Sequence, residues 1–251
     1  MTAISPRFVA FAATVFAATA AFAAPSDDTI PTNAGDVALH AIHHAALTLT
    51  WNGETILVDP APLGDKKDMT DFTSLPAPDL ILITHEHPDH FNVPVLEAVS
   101  GKATIVAPQD VVDRLPDDLK GKAKALAYGA SLEVAGIRID AVQAYNTTAD
   151  RTKYHPKGRD DGFVLTIGDK RIYIAGDTED TPEMRALTDI DVAFLPMNLP
   201  YTMDIAHAAD AVKAFKPKVV YPYHYGQSDV EAFKSMVGDA ADVRLLQWYP
   251  G

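Results

Sequence analysis

His85-Glu86-His87-Pro88-Asp89-His90 sets four potential metal ligands within six residues. Imidazole and carboxylate together suit Zn2+, with Mn2+ or Fe2+ as related choices. His85 and His87 are two residues apart, so on extended backbone they project to one side and can grip a single ion. Asp89 and His90 follow Pro88, which bends the chain, and can address a second ion. Metal pairs about 3.5–4 Å apart are a hydrolytic arrangement. A divalent ion lowers the pKa of coordinated water from about 15.7 towards 7, which makes hydroxide available for attack at neutral pH. Asp89 is the residue expected to orient that nucleophile and to pass a proton to the leaving group. Glu86 points away from its neighbours and reads as structural.

The elements that must hold these ligands are strand ends. Leu80-Ile81-Leu82-Ile83, preceded by Pro78-Asp79, reads as a short buried strand. Its far end is where open α/β sheets build sites. Three more apolar runs end in chemistry. Ile172-Tyr173-Ile174-Ala175 leads into Gly176-Asp177-Thr178, Val219-Val220-Tyr221-Pro222-Tyr223 into His224, and Ile56-Leu57-Val58 into Asp59-Pro60. His44 lies in His43-His44-Ala45.

In this order and spacing, the segments resemble the metallo-β-lactamase superfamily over about residues 37 to 248. The likeness is greatest to its lactonase-like branch, of the L-ascorbate-phosphate lactonase type; the N-acylphosphatidylethanolamine phospholipase is a more distant relative. The resemblance implies that Asp177 touches both metals and that His224 is the last metal-binding histidine. Asp59 would orient ligands from behind, and His44 would match the branch's H-A segment. One ion would sit on Asp89, His90, Asp177 and His224, the other on His85, His87 and Asp177. The superfamily usually supplies a further histidine before the G-D-T strand. Asn146 stands at that position, and His155 follows in Tyr154-His155-Pro156. Either residue is a candidate to complete the first group.

Composition bounds the remaining possibilities. Arg7, the apolar stretch Phe8 to Ala20 and Ala21-Phe22-Ala23 read as a secretory signal peptide over residues 1–23, so an exported, periplasmic protein is expected. The stretch is short and alanine-rich for a stable membrane anchor. Residues 24–251 are expected to form one hydrolase domain. The chain has no cysteine, which excludes disulfides, thiolate ligands and thiol catalysis. With 21 basic and 34 acidic residues the net charge is −13, a field that disfavours nucleic acid as a partner. A small-molecule substrate is expected; no feature sets the oligomeric state. No G-x-S-x-G elbow or phosphate-cradling glycine loop is present, which argues against serine hydrolases and nucleotide kinases. Arg151, Lys153, Lys157 and Arg159 run through one loop, either as a solvated face or as a lip that steers anions.

The pattern along the chain is α/β. Val37 to Val58 reads as strands around an Asn52-Gly53 turn, and Asp65 to Pro78 as loop. Helical spacing covers Val93 to Val99, Gln109 to Leu115, Pro182 to Leu187, Asp204 to Phe215 and Val230 to Val237. Strands are expected over Ala103–Ala107, three short stretches in Ala123–Val142, Gly162–Ile167, Arg171–Ala175, Val192–Leu195 and Val243–Trp248. The sequence shows no repeat. Strands outnumbering helices suits a sandwich, and the resemblance implies a four-layer αββα arrangement. Tyr201, Met203 and Tyr223 are candidates to line the substrate pocket, and His207 reads as an exposed helix residue. The expected function is hydrolysis of a small ester, lactone or phosphoester. The alternatives are a β-lactam-hydrolysing enzyme, or a non-catalytic binding protein with a site degraded at Asn146.

Overall fold

The computed structural model describes Met1 and residues 26–63 and 70–249. The segment read as a signal peptide lies, after Met1, outside the described residues. Seven strands form one sheet: β1 (Asp27–Ile30), β2 (Val37–His43), β3 (Ala46–Trp51), β4 (Glu54–Val58), β5 (Leu80–Leu82), β6 (Thr104–Ala107) and β7 (Ala123–Ala125). The second sheet holds β8 (Ser131–Val134), β9 (Ile137–Ala144), β10 (Asp160–Ile167), β11 (Lys170–Ile174), β12 (Val192–Pro196), β13 (Val219–Tyr223) and β14 (Asp242–Val243). In each sheet the first four strands pair antiparallel and the last three add on in parallel. The two sheets thus repeat one topology, although no repeat is legible in the sequence.

Burial follows the strand patterns. β2 buries Val37, Leu39 and Ala41 and leaves Ala38 exposed between them, the mark of a strand covered on one face. β5 is buried at every position, as a parallel strand covered on both faces must be. Three apolar clusters define the layers. The first fills the space between the sheets with Leu47, Ile56, Phe163, Phe194, Tyr221 and Trp248 among others. A second packs β11–β13 under α5 (Pro182–Arg185), α6 (Ile205–Phe215) and α7 (Val230–Val237). A third packs β5 and β6 under α2 (Val93–Val99), α3 (Gln109–Arg114) and α4 (Asp117–Lys120), beside α1 (Thr70–Thr73). Helix, sheet, sheet, helix is the αββα order.

These layers fix the site. Ile81 is fully buried four residues before His85, so its truncation to Ala should cost about 2–5 kcal/mol and loosen the strand that carries the ligands. Gly162 lets β10 pass β11: a Cβ there would stand 2.5 Å from the Ala175 carbonyl oxygen. Two expectations need correction. The segment read as loop from Asp65 contains α1, and the last strand stops at Val243, with Leu246 and Trp248 packed into the core from irregular backbone. α6 starts one residue later than expected because Asp204 caps it, accepting from the Ala206 and His207 N–H groups. His207 is exposed and pairs with that cap at 3.0 Å.

Candidate metal centre

All the candidate ligands gather at one end of the sandwich, where strands of both sheets terminate. Asp59 follows β4 and the His85–His90 segment follows β5; Asp177 follows β11 and His224 follows β13. The chain must turn sharply at these points. His44, Asp59 and His224 adopt left-handed backbone with φ of 53°, 43° and 44°. Such values are uncommon outside glycine and persist where surrounding structure holds them. Here the His224 N–H donates to the His44 carbonyl at 2.9 Å and the His44 N–H to that of Trp248 at 3.2 Å, which ties the two halves together. Gly176, at φ 66°, sits against Thr84, with a would-be Cβ 3.0 Å from the threonine's own. That close approach sets Asp177 beside the first motif.

Two outer groups of donors result, linked by a third made of His85, His90 and Asp177. His85, His87 and His155 bring donor atoms within 4.8 Å of one another, as do His44, Asp89, His90 and His224. Asp177 lies between the groups. One oxygen, Oδ2, is 3.4 Å from His155 Nε2 and 3.3 Å from His224 Nε2, and Oδ1 is 3.5 Å from His90 Nε2. Asp177 is 3% exposed, and its Oδ1, His90 Nε2 and both nitrogens of His224 are buried without a hydrogen-bond partner. Buried polar atoms are nearly always satisfied, so this concentration of orphaned donors and acceptors calls for a cation among them. The set of imidazoles and carboxylates, with no cysteine, fits a divalent ion.

Carboxylates behind the ligands orient them. Asp59 is fully buried; its Oδ2 is 2.8 Å from His90 Nδ1, and it accepts from the Thr84 N–H at 2.8 Å and hydroxyl at 2.7 Å. Asp160 does the same for His155, Oδ2 to Nδ1 at 3.0 Å. Each contact turns the histidine's other nitrogen to the centre. His44 carries a longer chain. The Gly226 N–H donates to the Tyr249 hydroxyl at 3.0 Å, and that hydroxyl's hydrogen can donate to His44 Nδ1 at 2.9 Å. Nε2 then holds the His44 proton and donates to Asp89 Oδ2 at 3.0 Å.

Ionisation matches this layout. Burial lowers His85 far below the usual imidazole range, lowers His87 and takes His44 to about 4, helped by neighbouring histidines. Burial also opposes protonation of His90 and His155. The Asp177 and Asp59 carboxylates outweigh it at His90, raised to about 10, and Asp160 and Asp177 do so at His155, raised to about 9. Burial would raise the Asp89 and Asp177 carboxyls, but the histidines around them hold both well below their ordinary range.

The loop after β9 brings in His155 rather than leaving it outside. Asn146 fastens that loop: its N–H donates to the His155 carbonyl at 2.8 Å, and its amide nitrogen to the carbonyls of Arg151 at 3.1 Å and Tyr201 at 2.7 Å. Its Oδ1 is buried without a partner. A cavity of about 490 Å3 opens over the centre, lined by Leu63, Tyr154, Asn198 and Tyr201 beside the ligands. Two pocket candidates are misplaced. Met203 is buried in the α6 cluster, and Tyr223 lies in the inter-sheet core with its hydroxyl accepting from the Gly176 N–H at 2.8 Å. Tyr221 and Tyr223 share a face of β13, and that face looks into the sandwich. The basic loop is no free lip either. Arg151 pairs with Glu179 at 2.8 Å, Lys157 with Glu183 at 3.0 Å and Arg159 with Asp160 at 2.6 Å, while Lys153 lies over the Tyr154 ring. Glu86 Oε1 lies 3.4 Å from Arg159 and 4.0 Å from His87 Nε2, beside the donors but outside their groups. Sequence reading missed Thr84, Asp160 and Tyr249.

Comparison with known proteins places this arrangement. The β-lactamase superfamily domain profile matches residues 38–224, from β2 to the last histidine. The chain belongs to this family. It is 35% identical over 215 residues to a UPF0173 metal-dependent hydrolase of Pyrococcus abyssi, covering 81% of this chain and 93% of the relative. It is 36% identical over 221 residues to another from Thermococcus onnurineus, covering 84% and 96%. Among solved structures, a metal-dependent hydrolase from Parabacteroides distasonis superposes with a TM-score of 0.81 at 42% identity, over 89% of this chain and 99% of that one. A metallo hydrolase from Ignicoccus hospitalis gives 0.69 at 27%, over 84% and 94%.

Proposed function

We propose that this centre hydrolyses a small ester, lactone or phosphoester at a pair of divalent ions. The chain is a metal-dependent hydrolase of the β-lactamase superfamily, as its family membership and its relatives' activity indicate. The observation that carries the two-ion reading is Asp177, buried between both donor groups with its Oδ2 3.4 Å from His155 in one and 3.3 Å from His224 in the other. His85, His87 and His155 would hold one ion and Asp89, His90 and His224 the other, with Asp177 common to both. When bound, such ions supply Lewis acidity and lower the pKa of coordinated water. Asp89, ionised and 39% exposed in its side chain towards the cavity, orients the attacking nucleophile and returns a proton to the leaving group. His44 holds that carboxylate in place, itself held by Tyr249. Asn198, Tyr154 and Tyr201 offer an amide and two hydroxyls to the substrate, and Leu63 an apolar wall. Among the described residues the cavity lining is uncharged apart from the centre itself, and Asn198, Tyr154 and Tyr201 suit an uncharged ester or lactone. His155 stands among the donors where Asn146 had suggested a degraded site, which supports an enzyme over a passive binding protein.

The test is a hydrolysis panel of lactones, phosphodiesters and β-lactams on purified, zinc-loaded protein, with metal content measured in parallel. Turnover of a lactone or ester that EDTA abolishes and zinc restores is the expected result. Turnover of β-lactams alone would make the protein a β-lactamase, and metal binding without any turnover would leave a binding protein. We also read the chain as exported to the periplasm after cleavage behind Ala23. No helix among the described residues is long and apolar enough to cross a membrane. Recovery from the periplasmic fraction with Ala24 at the amino terminus is expected; a cytoplasmic protein retaining residues 1–23 would overturn this.

A further inference from the structure

A second recess is lined by Arg159, whose Nη2 lies 3.5 Å from His87 Nε2. It measures about 440 Å3 and opens between the start of α3, the 126–128 loop and the β9–β10 pair. That is large enough for a small organic molecule. Gln143 and Asp161, register partners on β9 and β10, form its polar floor. They are only 7% and 5% exposed, yet neither side chain has a hydrogen-bond or ion-pair partner among the described residues. Their polar atoms are not sealed in protein; they open on the cavity. A buried amide and a buried carboxyl left without partners are costly unless something else satisfies them.

The charges around the recess say what that something is. The Arg159 guanidinium is committed to Asp160 at 2.6 Å and to Glu86 at 3.4 Å. Asp110, at the rim, is paired with Arg114 at 3.0 Å. Among the described residues Asp161 has no counter-ion. Burial and the neighbouring Asp160 charge raise its carboxyl to about 7, the state of a group that lacks a cation. The opposite wall is apolar, made by Pro108, Leu126 and the half-exposed ring of Tyr128. An ammonium ion near that ring would also gain from its π face.

We propose that this recess binds a small organic cation, its primary ammonium group on Asp161 and Gln143 and its apolar body against Tyr128 and Leu126. The recess and the metal cavity share no lining residue, so both can be filled at once. The inference does not depend on the hydrolytic reading.

The test uses the full chain with zinc bound and phenethylamine as probe, with 2-phenylethanol and phenylacetate as neutral and anionic controls, by calorimetry or ligand-observed NMR. Saturable one-site binding of the amine, about ten-fold or more tighter than the alcohol, is expected. Asp161→Asn should weaken the amine by about ten-fold and bring it level with the alcohol, because the charge is lost and the shape kept. Tyr128→Ala, at a half-exposed loop position where misfolding is not a concern, should weaken all bound probes several-fold. Equal affinity for the three probes, or no saturable binding, would overturn the proposal. So would full amine affinity in Asp161→Asn, or binding lost in Asp89→Asn, which would move the amine to the metal cavity. If Asp161→Asn fails to fold by circular dichroism, the amine-to-alcohol ratio and Tyr128→Ala decide alone.

Discussion

The two donor groups share Asp177 but are built differently. The His44, Asp89, His90 and His224 group is assembled from strand ends and from the motif after β5, and its backbone is tied across the two sheets. It contains a carboxylate, and its orienting partners, Asp59 and Tyr249, are themselves fixed by backbone N–H groups. The His85, His87 and His155 group holds three imidazoles, with the Arg159 Nη2 3.5 Å from His87 Nε2. Its third member comes from a loop, held by Asn146 and Asp160 rather than by a sheet. The first kind of group inherits its geometry from the fold. The second depends on a few contacts that hold one loop and should be the easier to lose.

Asp177 belongs to both, so its replacement is the largest perturbation. Asp177→Ala should remove both ions and lower kcat/KM by more than about 100-fold, beyond what an outer partner contributes. Metal analysis and a turnover assay check this; retention of one full equivalent of metal would show that the carboxylate is not shared. His155→Ala should then split the groups, leaving close to one ion per chain, while Asn146→Ala should weaken the same ion without abolishing it. Zinc titration distinguishes them, and identical stoichiometry in both variants would return Asn146 to the ligand set. Next come the orienting carboxylates. Asp59→Asn should weaken metal at the His90 group and Asp160→Asn at the His155 group, each by about 10–100-fold. Equal losses at both ions in either variant would contradict the separation.

Proton release sharpens the comparison with a smaller signal. His90 and His155 are raised to about 10 and 9, so both carry a proton at neutral pH before metal arrives, one in each group. A ligating imidazole must be neutral, so loading should expel about two protons per chain, and affinity should rise with pH towards 9. Calorimetry in buffers of different ionisation heat measures the number. Metal uptake with no proton release would mean that these two histidines are not ligands. The smallest effect belongs to Tyr223→Phe. Loss of its bond to the Gly176 N–H should cost about 1–3 kcal/mol of stability and leave KM unchanged, as befits a core residue.

What the sequence revealed follows the same division. Candidate ligands at the ends of apolar runs, such as His85, His90, Asp177 and His224, were legible as a cluster because strand period and strand end are local properties. The α/β class was legible for the same reason, since both sheets bury strands with clear apolar faces, whereas the four-layer order came from the family resemblance. His155 was ambiguous because nothing local sets the path of its loop; Asn146, Asp160 and Glu179, whose carboxylate accepts from the Thr147 and Thr148 N–H groups, do so from a distance. Tyr249 reaches His44 from 205 residues away, a contact no spacing rule contains. Tyr223 was misread because strand alternation names two faces without saying which one the other sheet will cover. The shared topology of the two sheets was hidden because pairing, not side-chain identity, is what repeats.

The most direct test of the central claim is a crystal structure of zinc-loaded protein with anomalous scattering recorded across the zinc edge. The account predicts two anomalous peaks per chain, one among His85, His87 and His155 and one among Asp89, His90 and His224, with the Asp177 carboxylate between them. A single peak away from Asp177, or no peak in protein that chemical analysis shows to contain zinc, would contradict it.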